Sequence, residues 1–406
     1  MLILLVSERL ATIPDTKWSN TVRHENSVFH DLLKRVPWDD FDRLVQQHHA
    51  DKHVRRLSTK SQLIALLYGQ LSGAVSLREI VGGLDSHATR LYHLGGKPVS
   101  RSTFADANAL RPADLFSDLF ALMAARLHRG LRRKMAEAVY LIDSTGLRLS
   151  TLSADWARFS RYACGAKLHV IYDPAADQPV YSSITAANVN DITPAKNMPI
   201  ERGATYVFDM GYYDFGWWAK LDAQDCRIVT RFKSNTLLQV TQDLAVPEGQ
   251  VDILSDRIGL LPARLSRSRR NPFAKPVREV RLRIPTGKIL RILSNDLVAP
   301  AREIADLYKR RWAIELFFRW VKQSLKIKHF LGTSENALRI QIAAALIAFL
   351  LLRMAQADQK DIESPLAFAR LVRTNLMHRK QINQLRRPQP EPTDTSSKTL
   401  FQWAQI

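Results

Sequence analysis

The spacing of apolar positions changes along this chain. From about residue 25 to 135 they return every three or four residues, in HDLLKRV, TKSQLIALLYGQLSG, SLREIVGGL and PADLFSDLFALMAARLHRGL. That period lines them up on one face of a helix and predicts an all-helical N-terminal part. From about 138 the pattern becomes short β-rich runs closed by turn residues: AVYLIDSTGL, AKLHVIYD, QPVYSSITA, TYVFDMG and CRIVTRFK. These predict strands. WWAKLDAQD, between the last two, reads as a crossing helix, so the set predicts a mixed sheet with flanking helices, an α/β class. Between 235 and 297, the stretches LLQVTQDLAV, QVDILSDR, REVRLRIP and KILRILSND predict a further β-rich insertion, with a basic run, RLSRSRR, at 264–270. Helical spacing resumes from 300 to about 385.

The resulting organisation is a helical N-terminal domain over 1–135, a candidate for DNA binding on the grounds given below, and a core whose first part covers 136–235. A β-rich insertion follows over 236–298, then the C-terminal helices of the core over 299–385 and a tail over 386–406. The tail is rich in Pro and Ser and is expected to be disordered. The longest apolar run, IAAALIAFLLL at 342–352, is shorter than the roughly 20 residues that span a bilayer, so it reads as a core helix and the chain as soluble. The apolar start at 1–6 is too short, and lacks the basic flank, to be a secretion signal.

Charge narrows the partner. Lys and Arg number 59 against 39 Asp and Glu, a net charge of +20. Such an excess favours a polyanion, because neutralised phosphates release their condensed counterions. Nucleic acid is the first candidate and an anionic membrane surface the second. The basic run at 264–270 is either a solvated loop or a phosphate contact. Cys164 and Cys226 lie far apart, with no CxxC or His-rich context. They suit neither a disulfide framework nor a zinc site, which points to a reducing cytoplasm. His30, His48, His49 and His53 form no convincing ligand set and read as surface residues. Within SLREIVGGLDSHATRLYHLGGKPVSRSTFADANALR, a short helix, a Gly-containing connection and a second helix capped at Ser102 resemble a helix-turn-helix. Arg101 and Arg111 would flank its second helix and Asn108 would lie on it; a plain helical bundle is the alternative.

Candidate chemistry lies in three acidic residues. Asp143 ends an apolar run in VYLIDSTG, and Asp209 ends another in YVFDMGYYD. A carboxylate at the end of a buried strand is costly unless it is paired, hydrogen-bonded or bound to a metal. Two strands each delivering an Asp to a sheet edge suit a hard cation, although either Asp could simply cap a turn. In EIADLYKRRWAIELFFRWVKQSLKIKHF, Tyr308, Arg311, Glu315 and Lys322 have the spacing Y-x2-R-x3-E-x6-K. At about 100° per residue, with Arg311 at 0°, Glu315 falls near about 40°, Lys322 near about 20° and Tyr308 near about 60°. All four share one stripe of a helix. An i,i+4 ion pair alone would account for Arg311 and Glu315 but not for the other two.

This stripe, with IDST at 142–145 and FDMGY at 208–212, resembles the DDE transposases of bacterial insertion sequences, in the branch called insertion sequence family four. The resemblance runs from the helical N-terminal part to about residue 355. It implies an RNase H-like catalytic core with a β-rich insertion between the second Asp and the Glu, preceded by an all-α domain. It also implies that Asp143, Asp209 and Glu315 are catalytic and bind two divalent ions, Mg²⁺ or Mn²⁺. One ion would activate water or a DNA 3′-hydroxyl, and the other would stabilise the leaving oxygen. Arg311 and Lys322 would grip phosphates and Tyr308 would position the DNA backbone.

The implied partners are double-stranded DNA, as terminal inverted repeats and as target, and a second copy of the chain in a synaptic complex. The implied location is the bacterial cytoplasm. In such relatives a flipped base stacks on an insertion aromatic, commonly Trp; here none of the eight Trp lies between 219 and 311, and Phe273 is the large aromatic that could substitute. Trp312 and Trp320 read as packing residues. Asn188 and Asp191, in TAANVND, read first as turn formers and second as accessories to the site. A nuclease of the same fold without strand transfer, or an inactive DNA-binding regulator, is the alternative function.

Overall fold

The computed structural model describes residues 26–385, apart from 133–136, 161–162, 247, 265–269, 325–329, 360–361, 363 and 380. The start of the chain, most of the basic run at 264–270 and the Pro-rich tail lie outside the described residues. The N-terminal part is helical, as its period predicts, with main helices Val28–Leu33, Trp38–Gln47, Thr59–Ser72, Leu77–Asp85, Arg101–Leu110 and Ala113–Arg132. Ser58, Ser76 and Ser100 cap the starts of three of them by accepting a backbone N–H from three residues on. The cap of the helix Arg101–Leu110 is therefore Ser100, two residues before the expected Ser102, which lies within the first turn.

The predicted β runs form one mixed sheet. Its strands are β1 (Val139–Leu149), β2 (Arg158–Ser160), β3 (Ala163–Asp173), β4 (Gln178–Ala186), β5 (Thr205–Phe208), β6 (Arg227–Arg231), β7 (Gln239–Leu244), β8 (Ile253–Leu260), β9 (Val277–Arg283) and β10 (Ile289–Ser294). The order across the sheet is β2-β3-β1-β5-β6-β10-β9-β8-β7, with β4 also paired to β3. β1, β3 and β4 are antiparallel neighbours, whereas β5 runs parallel to β1 and β6 parallel to β5. The strands of the 235–297 region are not a detached unit. β10 pairs antiparallel with β6, so β7 to β10 continue the same sheet on one side.

Alternation along the strands gives the sheet two buried faces. Leu141, Val170, Val207 and Val229 face a core shared with the N-terminal helices and with helices Trp312–Ser324 and Glu335–Ala357. Tyr140, Ile142, Tyr206, Phe208 and Ile228 face the other side, against Trp217 and Trp218 of the helix Phe215–Asp222. That helix is the crossing element predicted between β5 and β6. The apolar run at 342–352 lies inside a helix of 23 residues, Glu335–Ala357, about twice the length of the run itself. By length and composition this helix could cross a membrane, but 83% of its most apolar stretch is buried within the protein. It packs against helices Thr59–Ser72, Ala113–Arg132 and Pro365–Asn375, which ties the N-terminal helices to the C-terminal ones.

Candidate active site

The register of β1 on β5 builds the site. These strands pair in parallel as Val139 with Thr205, Tyr140 with Tyr206, Leu141 with Val207 and Ile142 with Phe208. The next residues are Asp143 and Asp209, so two aspartates from distant sequence stand side by side one step past the last parallel pair. By alternation both belong to the face of Leu141 and Val207, the face covered by the helix that carries Glu315. Asp143 does not end its strand, as expected, but sits within it. β1 runs on to Leu149 because β3 continues to pair with it, Asp143 lying opposite Val170. Asp209 does end β5, and its Oδ1 accepts the backbone N–H of Gly211 at 2.8 Å.

The expected single stripe of Tyr308, Arg311, Glu315 and Lys322 is bent. Helix Ala301–Arg310 ends and helix Trp312–Ser324 begins on either side of Arg311, where backbone bonds shorten to Arg311 N–H to Tyr308 O (3.1 Å) and Ile314 N–H to Arg311 O (3.3 Å). The tightened turn changes the angular count but keeps Arg311 on the side of Glu315. Its Nη1 lies 3.2 Å from Asp143 Oδ2, and its Nη2 donates to Glu315 Oε1. The Tyr308 ring, buried, lies 5.9 Å from the Arg311 guanidinium carbon. Lys322 is partly buried, about two turns further along the helix than Glu315. The structure thus joins Asp143, Asp209, Arg311, Glu315 and Tyr308 at one place, with Lys322 on the same helix.

Electrostatics set the state of this cluster. Burial pushes the Asp143 carboxyl up to about 7; the Ser144 N–H opposes this, Asp209 and Glu315 add to it, and Arg311 counters it. Among the described residues no three His, Cys, Asp or Glu side chains are gathered closely enough to hold a metal ion. Instead a guanidinium occupies the space between Asp143 and Glu315. A cation held by two carboxylates, one from a strand and one from a helix, is an environment whose donor chemistry also suits a hard divalent ion.

Several expectations about the surroundings change. Trp312, expected to pack, is 50% exposed and lines a cavity of about 370 Å³ with Tyr308, Arg311, Arg302, Arg283 and Pro285. Trp320 does pack, 5.0 Å from Phe349. Phe273, the expected substitute for an insertion Trp, is buried in the core around Trp217 and presents no face to a base. Asn108 and Arg111 are buried and occupied rather than free for DNA. Asn108 accepts from Gln62 at 2.8 Å, and Arg111 bonds Asp51 at 2.8 Å as well as Thr59 and the Leu57 carbonyl. Arg101 remains exposed.

Behind the aspartates lies a polar group from which the sequence singled out Asp191, as a possible accessory, but not Lys167 or His169. Asp191 sits in a turn, as first read, ahead of the short helix Ile192–Ala195, but its side chain caps nothing there. Its Oδ1 accepts from Ser144 Oγ at 2.9 Å and from Lys167 Nζ at 3.0 Å, and lies 3.9 Å from His169 Nδ1. A signal was present in AKLHVIYD, where Lys167 and His169 alternate with core residues on a strand whose two faces are both apolar elsewhere.

Residues 134–351 match the family described as Transposase DDE domain, and residues 24–97 match a domain of unknown function, DUF4372. "Putative transposase y4zB" of Sinorhizobium fredii is 41% identical over 288 residues, which cover 70% of this chain and 80% of that protein. "Probable transposase for insertion sequence element IS5377" of Geobacillus stearothermophilus is 30% identical over 266 residues, 64% of this chain and 69% of that protein. A cryo-EM structure of the piggyBac transposase synaptic complex with hairpin DNA overlaps 90% of this chain and 81% of that one, at 12% identity and a TM-score of 0.39. The match over residues 134–351, which hold Asp143, Asp209 and Glu315, means that this chain belongs to the DDE transposases.

Proposed function

We propose that this transposase moves a bacterial insertion sequence of the Tyr-Arg-Glu-Lys branch, insertion sequence family four, in the cytoplasm. It binds the terminal inverted repeats as a homodimer within a synaptic complex, cleaves DNA at both ends and joins the 3′-hydroxyls to target DNA. The observation that carries this reading is the pairing of Ile142 with Phe208, which sets Asp143 beside Asp209 on the face where Arg311 reaches Glu315. We read β4-β3-β1-β5-β6 as an RNase H-like core and β7 to β10 as its insertion.

Asp143, Asp209 and Glu315 would hold Mg²⁺ or Mn²⁺, two ions per site. When bound, these ions supply positive charge against the charge that develops on phosphate oxygens during displacement. The chain's own groups do the rest. Arg311, planar and held between Asp143 and Glu315, would pair with a non-bridging phosphate oxygen. Lys322 adds a second positive charge along the DNA path. Exposed Trp312, with Arg302 and Arg283 around its cavity, offers an apolar face among cations beside that path.

The test is a strand-joining assay with element ends and a supercoiled target. Wild-type protein is expected to give joined product. Glu315→Gln should lose cleavage by at least about 10²–10³-fold, the loss typical of removing one preorganised group, while still binding the ends. Nicked or linear donor without joined product would establish a nuclease instead. Binding with no divalent-dependent cleavage would establish a DNA-binding regulator.

A further inference from the structure

We propose that Asp191 is a positioning residue that holds Asp143 and Asp209 in their relative places, acting from the opposite face of the sheet. The inference rests on the reading of those aspartates given above. On β1 and β3, Ser144 lies opposite His169 and Gly146 opposite Lys167, which puts Ser144, His169 and Lys167 on the face away from Asp143. Asp191 meets all three there. It takes a hydrogen bond from Ser144 Oγ, and the backbone N–H of the same serine donates to Asp143 Oδ1 at 2.8 Å. Ser144 is therefore gripped by Asp191 on one side and by Asp143 on the other.

The second oxygen of Asp191 reaches the other aspartate's turn. A Cβ at Gly211 would meet Asp209 Oδ1 at 3.0 Å and Asp191 Oδ2 at 3.1 Å. The two carboxylates thus close around a residue with no side chain, and the Gly211 N–H is itself the donor to Asp209. Lys167, which also bonds the Val189 carbonyl at 2.9 Å, sets its positive charge 3.0 Å from Asp191 Oδ1. One carboxylate touches both the Ser144 and Gly211 segments, and each segment orients one of the paired aspartates. Supporting contacts of this kind commonly change site function by about 10–100-fold when removed.

The test uses the full chain with Asp191→Ala, Asp191→Asn and Ser144→Ala, each followed by two independent readouts. Hydrogen exchange by mass spectrometry should show peptides covering 141–146 and 207–213 exchanging about tenfold faster in Asp191→Ala, with the N-terminal helices unchanged. Single-turnover cleavage at saturating DNA should fall about 10–100-fold, with affinity for the ends within about twofold. Asp191→Asn, whose amide oxygen still accepts from Ser144, should recover most of both. Ser144→Ala combined with Asp191→Ala should be no worse than Asp191→Ala alone. Unchanged exchange in both peptides overturns the proposal, as does a loss equal in Asn and Ala variants that tracks a fall in melting temperature. If wild-type protein cleaves no DNA, the proposed function fails on its own, and the exchange readout still decides the role of Asp191.

Discussion

Arg311 Nη1 lies 3.2 Å from Asp143 Oδ2, a contact between residues 168 positions apart, while the same guanidinium holds Glu315 on its own helix. With both carboxylates partly buried, Arg311 acts as the built-in counter-charge of the cluster. Arg311→Ala leaves Asp143 and Glu315 facing each other and Asp209 without it. The variant should melt below wild type without divalent cation and gain more from Mn²⁺ than wild type does, by linkage to binding. Melting curves with and without Mn²⁺ measure this, and equal gains would remove Arg311 from that role.

A second buried pair fastens β8 to β9. Arg278 on β9 makes two bonds to Asp256 on β8, at 2.7 and 2.6 Å, and both side chains are almost fully buried. Asp256→Ala strands the guanidinium and should cost about 3–5 kcal/mol. Replacing both residues with apolar ones, as Asp256→Leu with Arg278→Met, should recover most of that loss. Urea unfolding of the three proteins decides it.

In the N-terminal helices, Arg111 ties the end of helix Arg101–Leu110 to Asp51, Thr59 and the Leu57 carbonyl. Arg111→Ala should therefore destabilise by about 1–3 kcal/mol through unsatisfied buried partners. DNA affinity of the folded protein should change little. Exposed Arg101 predicts the reverse pattern: Arg101→Ala should move stability by less than about 0.5 kcal/mol. Anisotropy with labelled end DNA, set beside melting curves, separates the two.

His169 gives the fold a slope with pH. Burial pushes its imidazole down to about 4 from 6.5; Asp191 opposes this and Lys167 adds to it. Between those values the unfolded chain binds the proton and the folded chain does not, so stability rises with pH through this window. Its contribution is complete above about pH 6.5 and is lost as pH falls towards 4. His169→Asn should flatten the curve between pH 4.5 and 6.5 by about one proton's worth of slope. An unchanged slope in denaturant titrations would assign the pH dependence to other groups.

Much of the architecture was legible because it depends on local periods. The run VYLIDSTG reads as an apolar strand, and TYVFDMG as one closed by turn residues from Asp209. The Arg311–Glu315 pair follows from i,i+4 spacing alone. Other features were misread for a common reason. Asn108 and Arg111 look like surface residues of a recognition helix, yet they are buried against Gln62 of an earlier helix and Asp51 of the turn before it. Phe273 and Trp312 exchange the places expected of them: Phe273 is buried in the core around Trp217, from a distant segment, and Trp312 is 50% exposed.

What the sequence by itself offered was the kind of most elements and three acidic residues as candidates, since helix and strand periods and the i,i+4 spacing of Arg311 and Glu315 are local properties. Only the tertiary structure decided that Ile142 pairs with Phe208, and so that Asp143 and Asp209 are neighbours. It also decided that a guanidinium lies between Asp143 and Glu315, and that Asp191 reaches both aspartate segments from the far face of the sheet. Register and the packing of one face on another are set by contacts summed over the whole chain, and no local pattern carries that sum.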